Sequence, residues 1–242
     1  MDPLVELPSR KAARILDATR ALVLDHGAGK VTVTEIARAA GVGKGTVYLS
    51  WRSKEDLILN LFARDLLSGV DAALDYLAAD PSNVLPARLA PFVTRLAQLD
   101  PLRRLLDNGD ADLLRLLTTD PRDRDLFART TSTAMGGAVI PVLRRHGLLR
   151  DDQPLGDQIH TMHALITGFT TTAPGPSTDP HRLLADAVTA LFAPVSPPSA
   201  DDIAAASTEL MTDFRSTRDT VIDLVRRSQN TPGGQPEPEH HS

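Results

Sequence analysis

The segment VTVTEIARAAGVGKGTVYLSWRSKEDL, residues 31–57, constrains this chain more than any other part of it: it reads as two short helices joined by a tight glycine turn, followed by a third helix start. Thr32 and Glu35 have the spacing of a capping box, in which the threonine hydroxyl accepts one backbone N–H and the glutamate reaches back to another. The first helix is predicted over roughly Val33–Ala40. Ile36, Ala37 and Ala40 recur on one face, and small residues there let a second helix cross closely. Gly41 ends this helix. Lacking a Cβ, it takes the left-handed conformation of a C-terminal cap at little cost, and Val42 can pack under the corner. A second helix is predicted over about Lys44–Ser50, which completes the pattern of a helix-turn-helix DNA reader.

The net charge of −5 argues at first against a polyanionic partner, but the charge is unevenly placed. From Ser9 to Lys54 nine basic side chains stand against three acidic ones, a net +6, so the remainder carries −11. All four lysines, Lys11, Lys30, Lys44 and Lys54, fall in this head. A compact basic head on an acidic body is what neutralising phosphates requires.

At 242 residues there is room for a small domain and a larger one. With 42% hydrophobic but 4% aromatic residues, the core is expected to consist mainly of leucine, alanine and valine, and nothing demands a sheet, so the fold expected is all-α. No run approaches the roughly 18 uncharged apolar residues of a membrane span, and the start MDPLVELPSRKAARIL lacks a basic-then-apolar signal. A cytoplasmic protein with no membrane partner is expected. Zero cysteines fit a reducing compartment and exclude disulfides, thiolate zinc sites and cysteine nucleophiles.

Ahead of the motif, residues from Ser9 to His26 form a predicted helix whose apolar stripe runs through Ala12, Ile15, Leu16, Thr19, Leu22 and Val23. After it, one long helix is predicted from Ser53 or Lys54 to Ala79, then helices at 83–99, 101–118, 122–146, 155–172 and 179–193, separated by Asp-Pro steps and glycines. Pro141 is expected to kink its helix. Beyond Pro194-Val195-Ser196-Pro197-Pro198, an amphipathic helix is predicted over Asp201–Arg227, and the proline- and glycine-rich tail after it is expected to be disordered.

Thr32-Val33-Thr34-Glu35-Ile36-Ala37 and Ala40-Gly41-Val42-Gly43-Lys44-Gly45-Thr46-Val47-Tyr48 resemble the N-terminal motif of the TetR family of transcriptional regulators, over about residues 10–60. The resemblance implies a three-helix DNA-binding domain at 9–53 and a larger helical ligand-binding and dimerisation domain at 54–195. The helix at 199–228 is extra to the family's usual set, with the disordered tail at 229–242.

The resemblance also implies that Lys44, Gly45, Thr46, Tyr48, Leu49 and Ser50 face the DNA from a helix in the major groove. Lys44 can reach a phosphate or a guanine edge. Gly43, where the family usually has serine, leaves backbone N–H groups free to meet a phosphate. Gly45 permits close approach, Thr46 offers a hydroxyl and a methyl to bases, and Tyr48 donates its phenol to a phosphate. Thr32, Thr34 and Lys54 would clamp the backbone on the flanks, with capping alone an equal reading for Thr32. Leu49 and Ser50 stand where many members carry aromatic or histidine side chains, so this helix makes fewer polar contacts. Trp51 takes the position of a core phenylalanine and is expected to be packed.

In the body, Phe62, Leu66, Phe92, Leu96, Phe127 and Met135 are candidates to line an effector cavity, with His163 and Thr167 supplying polar lining; a stripe of such residues equally serves as plain core. The family's last two standard helices pair across a two-fold axis, which here implies dimer contacts from His160, Leu183, Leu184, Ala187, Val188 and Leu191. The function this implies is a homodimeric repressor, released from a near-palindromic double-stranded DNA operator by a small-molecule effector, with no cofactor, no metal and no enzymatic activity.

Three other readings compete. The string Gly41-Val42-Gly43-Lys44-Gly45-Thr46 looks like the end of a nucleotide-binding loop, but Arg38 stands where that loop needs glycine, Gly45 where it needs serine or threonine, and no apolar strand precedes it. A nonspecific, architectural DNA-binding protein keeps the phosphate grip without sequence choice. A helical enzyme or metal module would need a convergent ligand or acid–base set, and His160 and His163 have no evident third partner in the sequence.

Overall fold

A computed structural model describes residues 10–99, 102, 132–173, 175 and 178–228. The predicted helix at 101–118, the first part of that at 122–146, Phe127, the side chain of Met135 and the tail from 229 lie outside the described residues. The rest is helical and, among the described residues, contains no strand: α1 Arg10–His26, α2 Val33–Ala39, α3 Lys44–Ser50, α4 Lys54–Ala79, a 3₁₀ turn Pro81–Val84, α5 Pro86–Leu99, α6 Ser132–Arg145, α7 Leu155–Thr171, α8 Pro180–Phe192 and α9 Ala200–Ser228.

The chain divides into two compact units, Met1–Arg64 together with Ile222–Ser242, and Asp65–Val221. The division falls inside α4 rather than ahead of it, and the last turns of α9 group with the head instead of forming a separate element.

In the head, the apolar stripe of α1 becomes the core: Ala12, Ile15, Leu16 and Val23 are buried, with Ile36 and Ala37 of α2, Val47 of α3, and Leu57, Ile58 and Leu61 of α4. Thr19 sits within this stripe and is tolerated because its hydroxyl donates to the Ile15 carbonyl one turn back, at 2.7 Å. Arg64 pairs with Asp17 at 2.9 Å, fastening α4 to α1. Ile222 and Val225 of α9 are buried in the same unit.

The body is built around α5, which packs against α7 and α8, while α7 also packs against α6. Periodicity predicts one helix over 83–99, but proline splits it: Asp80 caps a 3₁₀ turn by accepting the Ser82 N–H, and α5 restarts at Pro86. Pro at a first helical position loses no hydrogen bond, since that N–H has no intrahelical acceptor. Tyr76 and Phe92 stack face to face, ring centroids 4.0 Å apart, and the Tyr76 hydroxyl donates to the Arg88 carbonyl. Gln158 is fully buried and satisfied, donating to the Arg150 carbonyl at 2.6 Å and accepting from Arg144 at 3.4 Å. It thereby holds the turn between α6 and α7.

The extra helix α9 starts with its own capping box, Ser199 and Asp202 exchanging backbone N–H bonds. Ala206, Leu210 and Phe214 enter the body core. Its polar side is tied by Glu209 to Arg145 and His146, at 2.6 and 2.7 Å, and by Arg218 to Asp71 at 2.8 Å.

Candidate nucleic-acid interface

The turn between α2 and α3 forms as the residues dictate. Thr32 and Glu35 make the full capping box: Glu35 N–H donates to the threonine hydroxyl at 3.3 Å, and the glutamate carboxylate accepts the Thr32 N–H at 2.9 Å. The hydroxyl also donates to that carboxylate at 2.7 Å, and these bonds from Thr32 hold the Glu35 carboxyl below its usual range. Thr32 is therefore engaged on both its donor and acceptor sides as a cap. At the other end of α2, Gly41 has φ of +64°, Gly41 N–H donates to Arg38 and Val42 N–H to Ala37, the paired bonds of a Schellman cap.

α3 follows at once, with Gly43 as N-cap and no side-chain cap bond. Only Val47 of its seven residues is buried. Lys44, Gly45, Tyr48 and Leu49 are exposed, and Thr46 and Ser50 half-buried. The Lys44 ammonium lies 5.9 Å from the Tyr48 ring centroid, so these two share one flank of the helix. Leu49 is 77% exposed. Thr34 is exposed on the first turn of α2. Trp51, immediately after α3, is 0% exposed, in keeping with the packed role expected of it, and its indole N–H has no hydrogen-bond partner among the described residues.

Lys54 departs from expectation. Its ammonium donates to the carbonyls of Ala28 and Gly29, at 3.3 and 3.4 Å, so it locks the start of α4 to the α1–α2 loop instead of standing free on the flank. Sequence reading missed this because the acceptors are backbone carbonyls about 25 residues earlier, which carry no side-chain signal.

The body residues are less well gathered. Leu66 and Phe92 are half-buried against the body core, and Leu96 and His163 are half-buried as well. Phe62 lies on the part of α4 that belongs to the head unit. Thr167 is exposed and does not line an interior. Of the expected dimer contacts, Leu184 and Val188 are buried in the protomer's own core, whereas His160, Leu183 and Leu191 are exposed and Ala187 is intermediate. One apolar stripe of α8 thus serves the interior and a neighbouring one faces out. Among the described residues no group of three or more His, Cys, Asp or Glu is arranged to hold a metal ion, and no helix is long and apolar enough to cross a membrane.

Residues 15–61 match the model of the family described as bacterial regulatory proteins, tetR family. The chain is 34% identical over 131 residues to the HTH-type transcriptional regulator AlkX of Mycobacterium tuberculosis, an overlap of 49% of this chain and 61% of that protein. It therefore spans less than two thirds of that relative's length. It is 24% identical over 173 residues to the HTH-type transcriptional repressor AcnR of Corynebacterium diphtheriae, covering 66% of this chain and 80% of that one. Among solved structures, a TetR family transcription regulator from Marinobacter aquaeolei is similar at 20% identity with a TM-score of 0.49, over 78% of this chain and 98% of that one.

Proposed function

We propose, from the match of residues 15–61 to the tetR family model, that the chain is a member of that family of bacterial regulatory proteins and a cytoplasmic DNA-binding transcriptional regulator: a homodimeric repressor that leaves a near-palindromic operator when a small molecule enters the body. The observation that carries this reading is the outward face of α3. Four of its seven residues are exposed, within the Ser9–Lys54 segment of net charge +6, and Lys44 in its first turn is a cation. A helix of that size enters the major groove, phosphates take the cations on its flanks, and base edges meet its centre.

Dimerisation follows from the need to choose a site among a genome of competitors, which one small module does not meet. The surface that supports it is formed by α7 and α8, which pack against each other and keep His160, Ala164 and Gly168 on one, Leu183 and Leu191 on the other, open to the outside. Effector binding acts as a population shift: a ligand favouring a body conformation incompatible with the operator lowers DNA affinity by its preference for that state.

The test is a selection from random duplexes at about 0.15 M salt with excess nonspecific DNA, a level at which purely electrostatic binding is suppressed. An enriched inverted repeat, with half-site centres about 34–36 Å apart, supports the regulator. Binding that falls steeply with salt while nothing enriches assigns the head to phosphates alone and makes the protein architectural.

A further inference from the structure

The chemistry at the middle of the α3 face is specific to this chain. Successive residues of a helix are about 100° apart, so with Val47 pointing inward, Gly45 and Leu49 lie about 160° from it on either side, bracketing the direction that points furthest out. Lys44 and Tyr48 form one flank and Thr46 and Ser50 the other. Both flanks carry hydrogen-bonding groups, whereas the centre carries none: a glycine and a leucine.

Neither central residue is explained by the protein's own packing. Leu49 is 77% exposed, matched by Leu99 at the end of α5, against 37%, 38%, 40% and 42% for Leu155, Leu24, Leu183 and Leu191. A Cβ placed on Gly45 meets no atom within 4 Å and its φ is not in the left-handed region, so no neighbour and no turn requires glycine there. Glycine in a helix costs about 0.5–1 kcal/mol relative to alanine. What the pair creates is a bare strip of backbone with an isobutyl group beside it.

We propose that Leu49 is the specificity-determining residue of α3, reading the C5-methyl group of a thymine on the floor of the major groove, with Gly45 admitting the helix close enough for that contact. The inference rests on the reading of α3 as the element that enters DNA. Leucine has no donor or acceptor, so it cannot read an amide, carbonyl or ring nitrogen of a base. The thymine methyl is the one apolar feature the four ordinary bases present in that groove. Contact between the two removes both from water, and burying a methyl-sized group amounts to about fourfold in affinity. Two protomers on an inverted repeat square this to about fifteenfold. The charge of the head supplies the occupant: a polyanion drawn to Lys44 brings the groove floor to Leu49.

The experiment uses the full chain and the duplex enriched from the random pool, with each thymine replaced in turn by deoxyuridine, which pairs identically and lacks only the methyl. Wild-type protein is expected to lose about fourfold at one thymine per half-site and about fifteenfold when both are replaced. Leu49→Ala is expected to bind the thymine and deoxyuridine duplexes equally at that position, with an unchanged melting temperature, since Leu49 supports no core. If an inverted repeat enriches but no thymine is sensitive to methyl removal, or if the sensitivity survives in Leu49→Ala, the leucine is not the reader and this inference is overturned, while the regulator reading stands. If no sequence enriches at all, both fall together.

Discussion

The Lys54 ammonium and the Ala28 carbonyl oxygen stand 3.3 Å apart, joining the start of α4 to the loop that precedes α2. A second bond to Gly29 at 3.4 Å makes the lysine a two-point fastener within the head. Lys54→Met keeps the aliphatic stem and removes the donors. It is expected to lower the stability of the protein by about 1 kcal/mol, below the range of about 1.5–3 kcal/mol for a charge-assisted bond because the site is partly exposed. Urea unfolding measures this, and an unchanged midpoint would mean that the fastener contributes nothing. The salt dependence of operator binding gives a separate readout: a slope reduced by about 0.9 per protomer would show the ammonium leaving the carbonyls for a phosphate on DNA.

Gly41 and Gly45, four residues apart, are expected to respond to alanine with opposite signs. Gly41 has φ of +64°, where a Cβ is strained, so Gly41→Ala is expected to destabilise the protein by about 1–2 kcal/mol. Gly45 has no such conformation and open space at its Cβ, so Gly45→Ala is expected to stabilise the protein by about 0.5–1 kcal/mol while weakening DNA binding. Thermal melts and operator titrations of the two variants check this. A Gly45→Ala protein that is both more stable and a better binder would contradict the close-approach role.

Trp51 is fully buried with an indole N–H that meets no acceptor among the described residues. Leaving such a donor unpaired costs about 1–3 kcal/mol. Trp51→Phe removes the donor and part of the ring, so the gain from the first offsets the cavity left by the second. The net change is expected to stay within about 1 kcal/mol. Trp51→Ala, which loses the packing outright, is expected to cost about 3–5 kcal/mol. Equal large losses for both would show that the indole is required in full.

Glu209 links α9 to the end of α6, and its hydrogen bond with His146, reinforced by the charge of Arg145, holds its carboxyl below its usual 4.5. A carboxyl depressed on folding adds stability that is fully present above its unfolded value and is lost as the pH falls through the folded one. Glu209→Gln is therefore expected to be less stable than wild type above about pH 4.5. The two are expected to converge as the pH drops below the depressed folded value. Parallel stability curves down to acid would show that the pair does not contribute.

Much of the head was legible because its signals are local. A capping box and a glycine C-cap act within a few residues, so Thr32, Glu35 and Gly41 announce the ends of α2, and α3 runs over Lys44–Ser50 as its sequence indicates. The misread parts are those decided by distant partners. Nothing near Lys54 points to the carbonyls of Ala28 and Gly29. Periodicity finds the apolar side of α8 but cannot say that Leu184 and Val188 face their own core while Leu183 and Leu191 face out, because adjacent stripes of one helix look alike in sequence. The grouping of the last turns of α9 with the head depends on the path of the whole chain.

The exposed face of α3 as the DNA-holding surface is checked by the affinity of Lys44→Ala and Tyr48→Phe for the enriched duplex at matched salt, with Arg182→Ala on α8 as the control. Both α3 residues are exposed, so both variants are expected to fold as wild type and to bind more weakly, Lys44→Ala with a salt slope reduced by about 0.9 per protomer. Arg182→Ala is expected to bind as wild type does. Unchanged affinity for both α3 variants would contradict the account and move the reading surface elsewhere.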